Sequence, residues 1–183
     1  MRSYRIEGIV LKRADIGETD RLVTLFTLHH GKVTVLAKGV RRLTSKRAGS
    51  LELFNHLIAS VHQSRHKLDI LGEVQVVNSY PAWRRQLGRI TLAYQLAEVV
   101  DKLTPDNDPH PEIFSILQRS LVKIGSVGFD WHIEIKNWLV DIATELGYWP
   151  QKQAFTGDVY AFLERIISRP LHAQKMLDRL KIV

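Results

Sequence analysis

The sequence predicts an α+β protein: a five-stranded OB-fold β-barrel at the N-terminal end, followed by an α-helical bundle. Two observations predict it. Up to Tyr80 the apolar residues recur with a period near two, as in Leu68, Ile70, Gly72, Val74 and Val76, which alternate with Asp69, Glu73 and Gln75. Beyond Tyr80-Pro81 the spacing changes to the three- and four-residue steps of an amphipathic helix. The division this implies is 1–80 for the barrel and 81–183 for the helical domain.

Strand-like runs rich in Val, Ile, Thr and Leu fall at Arg5–Arg13, Leu22–Leu28, Val33–Val40, Leu53–Val61 and Leu68–Val76. Turn signals separate them. Asp15-Ile16-Gly17 divides the first pair, His29-His30-Gly31-Lys32 the second, and Ser64-Arg65-His66-Lys67 the last. Five short strands in about 80 residues suit a small, partly closed barrel, for which the OB-fold is the common five-stranded example. An SH3-like barrel shares this periodicity. In the second part, Leu87, Ile90, Tyr94, Ala97 and Val100 form one helical stripe. The proline-rich stretch Thr104–Pro111 stops it, and Pro111 suits the first position of the next helix, with Ile113, Leu117 and Leu121 inward. Asp130 fits an N-cap before Trp131, Ile135, Trp138 and Ile142, and Gly147 with Pro150 fits the stop. Two shorter helices are expected at Asp158–Ser168 and Leu171–Lys181. Trp131 and Trp138, two turns apart, read as core.

The charge is uneven. The chain of 183 residues carries net +7. Residues 1–80 hold 13 Lys and Arg against 7 Asp and Glu, a net of +6, so the excess lies on the expected barrel. A field of that sign gathers polyanions, nucleic acid first among them. There is no cysteine, which excludes disulfides, thiol catalysis and cysteine-ligated metals. The N-terminal apolar stretch is too short for a signal peptide, and no apolar run approaches the ~20 residues that span a bilayer. The expectation is a soluble cytoplasmic protein with no membrane and no small-molecule substrate. Neither a phosphate-binding Lys-Ser/Thr loop, nor a dinucleotide glycine fingerprint, nor a nucleophile elbow occurs. His62 and His66 fall in strand and turn, where a four-residue spacing has no ligand geometry, so neither a metal nor another cofactor is expected. Asp15, Glu18 and Asp20 read as turn-capping carboxylates with Arg21 as a partner.

One segment carries candidate chemistry. From Lys38 to Arg47 there are five basic residues (Lys38, Arg41, Arg42, Lys46 and Arg47) and no acidic one. Glycines at 39 and 49 permit close backbone approach, and Thr44 and Ser45 offer hydroxyl donors. Arg13, Arg65 and Lys67 are further candidates, the last two at a hairpin tip of the kind OB-folds use. The acidic turn Asp15–Asp20 argues against contact at that loop. Few aromatic residues are available for base stacking, and Phe26 and Phe54 read as core. The expected grip is therefore on the phosphate backbone. Five neutralised phosphates on a single strand give a slope of about −3.5 in log affinity against log salt.

Together, Glu7-Gly8-Ile9-Val10-Leu11-Lys12, Gly17-Glu18 with Asp20, Leu25-Phe26-Thr27, Gly31-Lys32, Ala37-Lys38-Gly39 with Arg41-Arg42, and Ser45 resemble the N-terminal domain of the bacterial RecO family. Arg89, Ala93-Tyr94, Glu98 and Leu146-Gly147-Tyr148 with Pro150 resemble that family's helical part. The resemblance implies a non-catalytic mediator of recombinational DNA repair. Such a protein binds single- and double-stranded DNA, anneals strands, and helps load recombinase onto strands coated by single-strand-binding protein. The implied partners are that protein and a RecR-type ring protein. By position, the resemblance assigns Lys38, Arg41 and Arg42 to DNA. Many members of the family carry a four-cysteine zinc insertion after the Gly-Tyr-x-Pro segment, and this chain has none of those cysteines. Two rival readings use the same charge: an RNA-binding OB-fold protein, and a protein-only adaptor whose basic loop docks acidic peptide tails.

Overall fold

The computed structural model describes residues 2–42, 45, 47–65, 68–126 and 130–173. They form two compact units. One contains the described residues up to Ser79 together with Pro105–Pro111. The other contains Tyr80–Thr104 and the described residues from Glu112 on.

The first unit is an OB-fold barrel. Its strands are β1 (Ser3–Ile16), β2 (Asp20–Thr27), β3 (Gly31–Ala37), β4 (His56–His62) and β5 (Ile70–Asn78). They close in the order β1-β2-β3-β5-β4. Strand β1 is long enough to serve both sides of the barrel. Its first half pairs with β4 from Ser3 to Ile9, and its second half with β2 from Gly8 to Ile16. A register shift between Val10 and Lys12 bends it from one partner toward the other. The period-two pattern has its cause in the pleat. Along β3, Gly31, Val33, Val35 and Ala37 are buried while Lys32, Thr34 and Leu36 are half-buried. Ile6, Val10, Val23, Leu25, Leu57 and Val61 join Val33 and Val35 in the barrel core.

Closure is thinnest between β3 and β5, which run parallel and meet at the pair Leu36–Ile70. The Leu36 N–H donates to the Asp69 carbonyl at 2.9 Å. The start of β3, at Gly31 and Lys32, is met by Pro105–Pro111, the stretch whose prolines end the first helix. Asp106 forms a bridge to Lys32, the Asn107 N–H donates to the Lys32 carbonyl at 3.0 Å, and Lys32 Nζ lies 3.3 Å from the Asp106 carboxylate. Gly31 permits this approach, because a methyl carbon added there would fall 2.3 Å from the Asp108 carbonyl oxygen.

Every strand limit lies within about three residues of the sequence expectation, and two of the differences trace to single turn residues. β3 ends at Ala37 rather than Val40, because Gly39 turns the chain at φ +65 while Val40 remains fully buried as a turn residue. β4 begins at His56 rather than Leu53, because Phe54 adopts φ +68 and its N–H donates to the Val10 carbonyl at 2.8 Å.

The second unit has four described helices: α1 (Leu87–Leu103), α2 (Pro111–Lys123), α3 (Trp131–Glu145) and α4 (Val159–Ile167). α1 packs on α3 and α4, burying Leu92, Leu96 and Val100 on its inner face. Asp130 caps α3 by accepting from the N–H groups of His132 and Ile133, and Asp158 caps α4 through those of Tyr160 and Ala161. Trp138 is buried in α3, while Trp131, at its first turn, is half-buried. The expected helix Leu171–Lys181 lies outside the described residues beyond Ala173. Its start is held by Glu98, whose carboxylate accepts from His172 N–H at 2.9 Å, from Ala173 N–H at 2.8 Å and from Lys102 Nζ at 2.7 Å. Burial pushes the Glu98 carboxyl up, and these donors together bring it below its ordinary value.

Candidate nucleic-acid interface

The cationic segment leaves the barrel at the end of β3 and is braced at its root by the hairpin between β1 and β2. Asp20, the first residue of β2, accepts from the Gly39 N–H at 2.7 Å and from the Thr19 hydroxyl at 2.9 Å. These bonds, the Gly39 amide foremost, hold its carboxyl below the usual range. The Arg41 N–H donates to the Thr19 carbonyl at 2.9 Å. The Arg41 guanidinium donates to the Gly17 carbonyl at 3.0 Å and lies 3.2 Å from the Asp15 carboxylate. Asp15 also takes Arg21 at 2.8 Å, and that bond is the largest cause of its lowered pKa. The acidic hairpin, read from sequence as weighing against a polyanion, thus engages Asp20 on the turn at Gly39 and Asp15 on two arginines, while Glu18 stays exposed.

Lys38, Arg41, Arg42, Arg47, Arg13 and Arg65 lie among the described residues. Lys38 and Arg42 are exposed and make no side-chain hydrogen bond or ion pair among the described residues. Arg42 lies along Gly39, its Nε 3.5 Å from where a methyl carbon on Gly39 would stand. Arg41 is exposed but engaged with the hairpin as above. Arg47 is directed into the protein. Its guanidinium donates to the carbonyls of Leu71 at 3.2 Å, Gly72 at 3.0 Å and Lys38 at 2.8 Å, tying the far end of the segment to β5 and to its own beginning. Ser45 also serves the loop itself, its hydroxyl accepting from the Arg47 N–H at 3.3 Å. Arg13 is ion-paired with Glu52. Arg65 is exposed in the connection between β4 and β5. The Leu36–Asp69 hydrogen bond brings that connection beside the end of β3, two residues before Lys38. Lys46 and Lys67, with Thr44, lie outside the described residues.

Asp20, Thr19 and Gly17 are the parts of this site that sequence reasoning missed. They stand about twenty positions from the residues they hold, and no local pattern couples them. Among the described residues no cluster of three His, Asp or Glu side chains is placed to hold a metal. Nor does the chain fit the zinc ion implied by the resemblance. It has no cysteine, and the stretch after Tyr148 is gathered by aromatic rings instead. Trp149 lies 4.9 Å from Phe155 and 5.6 Å from Phe162 between ring centroids, and its indole N–H donates to the Gln153 carbonyl at 2.8 Å. No described helix is long and apolar enough to cross a membrane.

A closed OB barrel with an exposed, braced cationic loop, joined to a separate helical unit, defines a class of two-unit OB-fold proteins. Comparison with known proteins narrows that class. Residues 1–80 match the family model described as Recombination protein O N terminal, and residues 84–154 match Recombination protein O C terminal. The chain is 31% identical over 150 residues to a protein of Pelotomaculum thermopropionicum named DNA repair protein RecO, covering 82% of this chain and 57% of that one. It is 41% identical over 119 residues to the protein of the same name from Anaeromyxobacter sp. strain K, covering 64% of this chain and 46% of that one. It is 35% identical over 150 residues to the one from Roseiflexus sp. strain RS-1, covering 82% and 52% respectively. The chain belongs to the RecO family. It spans about half the length of the curated relatives it matches.

Proposed function

We propose that this chain is a non-catalytic, DNA-binding mediator of recombinational repair. It grips the sugar–phosphate backbone of single- and double-stranded DNA through the loop after β3. The observation that carries this reading is the braced turn at Gly39, which presents Lys38 and Arg42 to solvent while hairpin and β5 contacts fix the chain on either side. A loop held in advance loses less conformational freedom when it binds. Lys38 and Arg42 make the direct phosphate contacts, and Arg65 in the β4–β5 connection adds a further one. Arg47 positions the loop, and Arg41 both braces the loop and offers its exposed edge. Family membership supports the further steps: annealing of complementary strands and help in loading recombinase onto strands coated by single-strand-binding protein, with a RecR-type ring protein as partner.

The test is strand annealing by the full chain in the presence of single-strand-binding protein, with Lys38→Gln/Arg42→Gln compared against wild type. These two positions are chosen because Arg41 also holds the hairpin. The expected result is loss of annealing and of single-strand affinity with an unchanged thermal transition. Normal annealing by the double variant would overturn the site. Equal or tighter binding of a matched RNA oligonucleotide would overturn the assignment to DNA.

A further inference from the structure

We propose that the turn Pro81–Gln86 and the first turn of α1 form a second phosphate-gripping surface, on the helical unit, with Arg85 and Arg89 as its contacts. This rests on the nucleic-acid reading above and extends it to a surface with its own charge, its own anchor and its own test.

The charge is local and unmixed. Between Glu73 and Glu98 lie 24 residues without an Asp or Glu, and Arg84, Arg85 and Arg89 fall within six of them. Helix α1 starts in this stretch with no acidic residue in its first turn and no side-chain cap from Gln86. Arginines at a helix N-terminus add to the positive end of the dipole and disfavour folding. α3 and α4 begin instead on capping aspartates, and α2 and α3 carry Glu112 and Glu134 in their first turns. Helix stability therefore gives no reason for this cluster of arginines, whereas an anionic ligand does.

The presentation is built. Trp83 is 1% exposed, and its indole N–H donates to the Leu121 carbonyl at 2.8 Å, pinning the turn to the end of α2. The Gln86 N–H donates to the Trp83 carbonyl at 2.9 Å, and the Gln86 side chain donates to the Ala82 carbonyl at 3.2 Å. The Arg84 guanidinium lies 5.5 Å from the centre of the Trp83 indole and so belongs to the anchor. Arg85 is exposed and Arg89 half-buried, and neither forms an ion pair among the described residues. Two unpaired guanidinium groups on a fixed turn suit the repeating phosphates of a nucleic-acid strand.

The full chain is titrated with a single-stranded DNA oligonucleotide between 50 and 200 mM salt. Arg85→Gln/Arg89→Gln is expected to make the log–log salt slope shallower by about 1.4, which is two phosphate contacts on a single strand. Arg85→Lys/Arg89→Lys retains the slope. The loss adds to that of Lys38→Gln/Arg42→Gln. The thermal transition of the glutamine variant stays level or rises, since like charge is removed from a helix N-terminus. An unchanged slope in the glutamine variant overturns the proposal, as does a loss that the lysine variant shares. Retained DNA binding with lost affinity for a polyglutamate peptide overturns it in favour of an acidic protein partner. If the barrel-loop variant leaves the slope unchanged and the Arg85/Arg89 variant does not, the loop reading fails and this surface stands. The reverse result sinks this surface alone.

Discussion

Two arginines five positions apart in one basic run do different work, and the distinction lies in what each guanidinium touches. Arg47 satisfies three backbone carbonyls, of Leu71, Gly72 and Lys38, whereas Arg42 makes no side-chain hydrogen bond among the described residues. Truncating a charged donor leaves its acceptors without a partner, which costs about 1–3 kcal/mol. Arg47→Ala is therefore expected to lower stability by about that amount in urea unfolding, and Arg42→Ala to change it by less than about 0.5 kcal/mol. Equal effects of the two would show that the carbonyl contacts contribute nothing. The Asp20 brace carries its own signature in acid. Its folded pKa is depressed, chiefly by the Gly39 N–H, so the brace is complete above the ordinary aspartate value and is lost as pH falls through the lower, folded one. In an NMR pH titration the Gly39 amide is expected to shift with a midpoint below 3.8. A midpoint at or above that value would remove the brace.

At the scale of elements, two glycines in positive-φ turns separate backbone freedom from close packing. Gly39, at φ +65, has the Arg42 side chain as its nearest neighbour, 3.5 Å from where a methyl would stand. Gly39→Ala is expected to cost only the left-handed penalty of about 1–2 kcal/mol. Gly31, at φ +64, faces the Asp108 backbone at 2.3–2.5 Å. Gly31→Ala adds an overpacking cost to the same penalty, about 2–5 kcal/mol together. It is also expected to speed hydrogen exchange at Asn107, whose N–H is bonded to the Lys32 carbonyl. If the two variants unfold at the same urea concentration, the docking of 105–111 on β3 is not a stabilising contact. These elements also mark how far the sequence could be read. The strands were legible because one face of each is buried, which imposes alternation on β3 residue by residue. The helices were legible because α3 and α4 start on aspartates. The ends of β3 and β4 were not, since they depend on single positive-φ residues, Gly39 and Phe54. The run at 38–47 was legible as charge. Its internal division of labour was not, because the Asp20–Gly39 and Arg47–Gly72 contacts join positions far apart in sequence. The packing of Pro105–Pro111 on the barrel was hidden for the same reason, its prolines signalling only where α1 must end.

For the molecule as a whole, net charge and placed charge make different predictions. The chain carries +7, and a diffuse field of that sign by itself attracts any polyanion and speeds encounter at low salt. If that field were the whole of binding, removing any two cations would have the same effect. Lys38→Gln/Arg42→Gln and Lys136→Gln/Lys152→Gln each take the net charge from +7 to +5, and all four side chains are exposed. The first pair stands on the braced loop, while Lys136 lies on the outer side of α3 and Lys152 in the loop after it. Counterion release counts only phosphates in contact, so the loop pair is expected to lose about 1.4 from the single-strand salt slope. The pair on the helical unit is expected to keep the slope within a few tenths and to show only a modestly slower association at low salt. Fluorescence anisotropy for the slope and stopped-flow mixing for the rate make the comparison on matched samples. Equal slopes and equal affinities for the two variants would mean that the barrel loop is merely part of a positive surface. A difference confined to the loop pair would mean that a few cations, held in place by an acidic hairpin, set the affinity.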